Sequence, residues 1–386
     1  LRFWSISNEG PRIASTTEAD GSLIFLPGAK GYPSQLFRID QAGKTKDESE
    51  RLVGQNPEME IVGAIFFDAN GDGRQDLFTW SGGIEFPAHS PQYRDQLFIQ
   101  NEQGEFILSE QGFDSRPTAF ALSHDLDQDG DEDLIFGYRA QPFAYGVPEG
   151  LGIWQNDGEG NFIDISESYG ESIASLGMLT DGALADLDRD GMSELIVAGE
   201  WMAIQIFSLD ESLTNRTAEF GFAESTGLWN RLLVEDLDED GYPEILAGNS
   251  GTNTRLHFKN GSKLRMYIND FDQNGSLDPI LCEFDGEKSI PWVMKNALLK
   301  QIPSLRKNLV RYSDYQDKSM EELFPANSLS NSLILEAENL ETTLWKNENG
   351  ERFTKSELPQ EVQQAPVFAI NSLETAAGKY LILGGN

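Results

Sequence analysis

Cysteine and histidine are almost missing from these 386 residues: there is one cysteine, Cys282, and three histidines, His89, His124 and His257. A lone thiol cannot close an internal disulfide, so cross-bracing in an oxidising compartment must come from something else, metal being one candidate. Cys282 itself reads as a buried, inert thiol. None of the three imidazoles sits in a zinc-binding or nucleophile-elbow spacing, and there is no phosphate-binding glycine motif or dinucleotide fingerprint. His124, directly before Asp125, reads as a packing residue. On this basis the chain is expected not to be an enzyme.

Positive charge is scarce too. The balance of 29 Lys plus Arg against 64 Asp plus Glu leaves −35, which excludes the clustered cations that nucleic acid or an anionic membrane surface requires. Such a load disfavours compaction unless bound cations neutralise it. No run approaches the ~20 apolar residues of a membrane helix. The opening Leu1-Arg2-Phe3-Trp4 lacks the regions of a signal peptide, so either an export signal has been removed or the sequence begins inside a longer protein.

What the sequence does have is glycine, 37 residues of it, frequently after Asn or Asp as in the turns of all-β proteins. It also has an internal repeat, an acidic nonapeptide that recurs five times. The copies carry Asp68, Asn70, Asp72, Gly73, Arg74 and Asp76; then Asp125, Asp127, Asp129, Gly130, Asp131 and Asp133; then Asp186, Asp188, Asp190, Gly191, Met192 and Glu194. The fourth has Asp236, Asp238, Asp240, Gly241, Tyr242 and Glu244, and the fifth Asp270, Asp272, Asn274, Gly275, Ser276 and Asp278.

Positions one, three and five are Asp or Asn, position six is Gly and position nine is Asp or Glu. Calcium wants six to eight oxygens at roughly 2.3–2.6 Å. Side chains at one, three and five converge only if the backbone coils tightly, which a left-handed glycine at six permits while turning the carbonyl of position seven (Arg74, Asp131, Met192, Tyr242, Ser276) inward. The acid at nine closes the cage. Up to five Ca²⁺ sites are expected, the first and fifth weaker because an Asn replaces an acid. An EF-hand would need Glu at position twelve, where Thr79, Phe136, Val197, Ala247 and Leu281 stand. Strand-like flanks such as Ile65-Phe66-Phe67 and Leu77-Phe78-Thr79-Trp80 make these hairpin loops.

A second hairpin follows most copies, over 96–106, 152–162 and 344–353, so a unit is four antiparallel strands, the content of a propeller blade. The loops begin at residues 68, 125, 186 and 236, then at 270, only 34 further on. Either the fourth blade is trimmed or the fifth loop lies within it. Metal-less copies flank the set at 12–26 and 367–385. Counting every copy gives seven blades, and merging the fourth with the fifth gives six. An N-terminal strand closing the ring, or a chain continuing past Asn386, would complete the last.

Between Trp292 and Leu323 the spacing of Leu298, Leu299, Ile302, Leu305, Leu309 and Val310 predicts an inserted helical arm. It carries Lys295, Lys300, Arg306, Lys307 and Arg311, which either pair with the acidic body or dock an anionic partner.

The five nonapeptides resemble the FG-GAP/VCBS repeats of integrin α-subunit propellers and secreted bacterial proteins. Ser81-Gly-Gly-Ile-Glu-Phe86, Ala247-Gly-Asn-Ser-Gly251, the stretch 269–280 and Leu381-Ile-Leu-Gly-Gly-Asn386 look most like the propellers that accompany ASPIC/UnbV domains in surface proteins of Bacteroidota and in cartilage acidic protein. The resemblance implies an all-β, seven-bladed propeller with calcium in the loops joining the first two strands of each blade. The first and last copies depart from the acidic pattern, and no ASPIC/UnbV domain follows. The expected role is a calcium-binding scaffold for protein interaction at or beyond the outer surface of a bacterial cell, without membrane insertion. The alternative is a carbohydrate-active propeller, a polysaccharide lyase or lectin, for which Trp80, Trp154, Trp201, Trp229 and Trp292 are candidate stacking residues, although core packing accounts better for most of them.

Overall fold

A computed structural model describes residues 11–385 apart from 211 and 257–260; the opening tetrapeptide, His257 and Asn386 therefore lie outside it. The β pattern holds throughout, because the acidic turns are separated by short Val, Ile, Leu and Phe runs that suit half-buried or fully buried strands. Sheet I comprises Ala14–Glu18, Gly21–Leu26, Gln35–Ile39 and Thr45–Asp47 in sequential antiparallel order. Sheet II runs Ile61–Phe67, Asp76–Ser81, Gln96–Gln100 and Phe106–Leu108, with Leu52–Val53 added in parallel at its outer edge. Sheet III has Thr118–His124, Asp133–Tyr138, Leu151–Asn156 and Phe162–Asp164. Sheet IV has Met178–Ala185, Glu194–Met202 and Gln205–Ser208, with Gly227–Leu228 beside the long central strand.

Sheet V is discontinuous in sequence: Arg231–Glu235 and Glu244–Gly248 pair with Thr343–Asn347 and Phe353–Ser356. The interruption is filled by another four-stranded sheet, ordered Ser289–Pro291, Asp278–Phe284, Lys263–Asn269, Leu333–Ala337. The fifth acidic loop joins two strands of this inserted sheet, which is why it follows the fourth so closely. Val367–Thr375 and Gly378–Gly385 form a two-stranded sheet VI.

The first strands of sheets I to VI pack side by side in chain order, and the cores lie between successive sheets. Phe25 and Leu23 meet Leu77 and Phe98 between I and II. Phe78 stacks on Phe136 at 5.2 Å between II and III. Phe120 and Ile135 face Leu195 and Val197 between III and IV, and Trp229 and Trp345 fill the space between IV and V. This is a propeller-like succession of sheets, with the inserted unit as the seventh sheet.

The helical insertion is a series of short helices, Lys295–Gln301, Pro303–Lys307, Tyr312–Asp314, Met320–Leu323 and Ala326–Ser330. Pro303 ends the first, since the residue before a proline is driven out of the helical region; Ile302 has φ −122° and ψ 81°. Leu298, Ile302, Leu305 and Leu309 are buried against Tyr267, Ile280 and Cys282 of the inserted sheet, so the segment caps that sheet. Val310, expected on the apolar face, is exposed. Lys295 is buried, its Nζ donating to Val310 O at 2.8 Å, while Lys300, Arg306, Lys307 and Arg311 are exposed.

Candidate functional site

Each acidic nonapeptide is the tip of a hairpin, and all five close in the same way. The position-one carboxylate accepts the N–H of the position-six glycine: Gly73 to Asp68 at 2.7 Å, Gly130 to Asp125 at 3.1 Å, Gly191 to Asp186 at 3.0 Å, Gly241 to Asp236 at 2.9 Å and Gly275 to Asp270 at 2.8 Å. The position-nine acid accepts the N–H of position two, from Ala69 to Asp76 at 3.0 Å through to Phe271 to Asp278 at 3.2 Å. The glycines at six have φ from 82° to 100°, as the coiling requires.

Position four is left-handed as well: Gly71, Gln128, Arg189, Glu239 and Gln273 have φ between 61° and 69°. The ligand pattern did not reveal this. Its one trace in the sequence is that no β-branched residue stands there.

Four of the loops bring carboxylate oxygens together within 4.8 Å: Asp125, Asp127 and Asp129; Asp186, Asp188 and Glu194; Asp236, Asp238 and Glu244; Asp270, Asp272 and Asp278. Oδ1 of Asp125, Asp131, Asp186 and Asp272 is buried with no hydrogen-bond partner. Convergent carboxylate oxygens of this kind could hold a hard cation. Burial raises the position-nine acids above the ordinary carboxylate range, Asp76 and Asp278 to about 6 and Glu194 to about 7, with Asp133 and Glu244 also raised. Asp131 is pushed up to about 6 by burial and by neighbouring Asp129.

The loops differ in what else reaches them. Loop one is not among the four groups: Asn70 supplies no charge and the Arg74 guanidinium holds the Asp72 carboxylate. In loop three Arg216 Nη1 lies 2.8 Å from Asp188 and 3.1 Å from Glu194. In loop four Lys346 lies 3.3 Å from Asp238. Loop two receives the neutral Gln155 amide on Asp127. Arg74 belongs to the repeat itself, whereas Arg216 and Lys346 come from residues distant in sequence and were not legible in it.

Antiparallel pairing puts the loops of sheets II to V at one end of their first strands. At the opposite end, where those strands begin, lies an axial cavity of about 630 Å³. Arg12 and Arg231 share the buried Asp181 there, at 2.7 and 3.4 Å. Although burial opposes it, the two guanidiniums hold the Asp181 carboxyl below its usual range. Of the tryptophans proposed to stack on sugars, Trp80, Trp154, Trp201 and Trp229 are buried in the core and Trp292 packs against it.

A family model described as an FG-GAP-like repeat matches residues 125–197, the span from the second loop through the third. The chain thus contains an FG-GAP-like stretch. The match is to the repeat and lends nothing to the narrower likeness to ASPIC/UnbV-associated propellers. No curated protein matches the chain. Solved structures that match include an exo-β-1,3-galactanase from Phanerochaete chrysosporium with β-1,3-galactotriose, at 9% identity over 72% of this chain and 86% of that one, TM-score 0.35. Another is an exo-β-1,3-galactanase from Clostridium thermocellum, at 12% identity over 70% and 58%, TM-score 0.36. These neighbours are enzymes, which corrects the expectation that the chain is not one. That expectation rested on missing histidine and nucleophile motifs, whereas glycoside cleavage commonly needs only two carboxyl groups.

Proposed function

We propose that the chain is a six-bladed, calcium-braced β-propeller that works outside the reducing cytoplasm as a recognition scaffold. The inserted sheet and its helical cap, with exposed Lys300, Arg306, Lys307 and Arg311, offer a surface to an acidic protein partner. The observation that carries the calcium reading is the repeated convergence of carboxylate oxygens, four of the loops holding an orphaned buried Oδ1 or a tight acidic trio. In this reading the ligands are the acids and amides at positions one, three, five and nine and the carbonyls at seven, with loop two the strongest site and loop one the weakest. Isothermal titration with Ca²⁺ and Mg²⁺, paired with melting by circular dichroism at constant ionic strength, tests it. A calcium-specific rise in Tm that Asp127→Ala diminishes is expected; an unchanged Tm would overturn the reading.

A second reading is carbohydrate-active. The observation favouring it is the open axial cavity, of a size that holds a saccharide, with two carboxyl groups, Glu60 and Glu85, in its lining. With the tryptophans in the core, hydrogen bonds and charge would hold the sugar. No helix among the described residues is long and apolar enough to cross a membrane, and an extracellular or outer-surface location accords with both readings.

A further inference from the structure

The axial cavity is divided chemically. On one side stand hydrogen-bond donors: Arg12 and Arg231 share Asp181, and beside Arg231 the Asn230 side-chain amide nitrogen is buried without a partner. A buried amide donor left unpaired is destabilising, and a ligand acceptor removes that penalty. On another side stand acceptors. Glu60 and Glu85 crowd around Gly83, where an added Cβ would lie 2.3 Å from Glu85 Oε2 and 3.1 Å from Glu60 Oε2. Gly83 has φ 82°, so glycine is needed there both for the turn and for the space. Burial first, and the Glu85 charge second, raise Glu60 above its ordinary range, with Lys30 opposing.

Arg12 and Arg231 set two positive charges against the single charge of Asp181, so a neutral sugar would leave one of them uncompensated, and a simple anion would leave the two carboxylates facing nothing. Resting on the carbohydrate-active reading, we infer that the cavity binds an acidic saccharide, its carboxylate on Arg231, Arg12 and Asn230 and its hydroxyls donating to Glu60 and Glu85. Guanidinium recognition of a carboxylate is charge-assisted and directional, and carboxylates accept well from hydroxyls. The site is at the opposite end of the sheets from the acidic loops, so it is separable from calcium binding.

The test is calorimetric titration of the intact protein, in fixed excess Ca²⁺ so that chelation by the ligand is constant, with trigalacturonate, β-1,3-galactotriose and free glutamate as probes. Trigalacturonate is expected to bind, with Asn230→Ala and Arg231→Ala each weakening it tenfold or more. Gly83→Ala, which crowds the acceptor wall, should also weaken it, while circular dichroism shows the same fold in all three variants. Binding of galactotriose but not trigalacturonate would overturn the inference and leave the carbohydrate reading standing. Binding of glutamate alone, or of none of the three, would overturn both. Trigalacturonate binding that survives Asn230→Ala and Arg231→Ala undiminished would likewise overturn this placement of the carboxylate.

Discussion

Substituting Gly130 by alanine isolates the backbone contribution to one of the proposed calcium loops. Gly130 has φ 100°, and a Cβ added there meets nothing within 4 Å, so no clash contributes and the whole effect is the cost of holding an L-residue in left-handed space. That cost is roughly 1–2 kcal/mol. Because the strained conformation is the one in which Gly130 N–H reaches Asp125 at 3.1 Å, the cost falls on loop closure and hence on ion capture. A factor of about 5 to 30 in the affinity of one calcium site follows. The assay is calcium titration by calorimetry, together with urea unfolding in chelator. Gly112 is the control: it is exposed, its substituent also meets open space, and its φ lies outside the left-handed range. Gly112→Ala should change stability by no more than about 0.5 kcal/mol. If Gly130→Ala behaves like Gly112→Ala in both measurements, position six does not adopt the conformation described and the coordination argument fails with it.

Three further outcomes are expected. Asn156 donates to Ala69 O at 2.9 Å and Asn347 to Leu187 O at 2.9 Å, each tying a second hairpin to the acidic loop of the preceding sheet. Asn→Ala at either should cost about 1–3 kcal/mol in urea unfolding, and the double variant should show additive losses because the sites share no partner. Glu48 would be raised by burial, but hydrogen bonds from Arg38, Lys46 and Arg51 outweigh that and bring it down to about 2. Its contribution is present above its unfolded value near 4.5 and is lost as pH falls towards 2. Glu48→Gln should therefore narrow the stability gap between pH 5 and pH 2.5 by on the order of 1 kcal/mol after solvent screening, read by chemical denaturation. Leu298→Ala empties part of the core beneath the helical cap and should cost about 2–5 kcal/mol within the inserted unit. Limited proteolysis should then cut between 292 and 330 before sheets I to VI.

The hairpin character of the loops and the paired strands at 96–106, 152–162 and 344–353 were legible because each depends on neighbours in sequence, and the burial of Cys282 followed from its residue type. Gly104, Gly158 and Gly350 mark their turns by local steric necessity. The ligand pattern likewise announced Asp125, Asp127 and Asp129 as a cluster. What stayed hidden depends on distant partners. Nothing near Asp188 announces Arg216, and nothing near 248 announces that its next strand begins at 343. The apolar spacing gave the right buried face from 298 to 309 but not the break within it or the exposure of Val310, because Pro303 ends the first helix while tertiary packing keeps Leu305 and Leu309 on the same side.

The interruption of sheet V bears on how the chain tolerates change. Asn249 N–H donates to Thr342 Oγ1 at 3.1 Å and its amide donates to Asn339 O at 3.1 Å, so the inserted unit leaves and rejoins the parent sheet at one point. A segment whose ends already touch can be exchanged for a short turn, or for another folded unit, without stretching the strands it joins. The body thus has a port through which folded units can be gained or shed in evolution, and at which a reporter domain can be spliced.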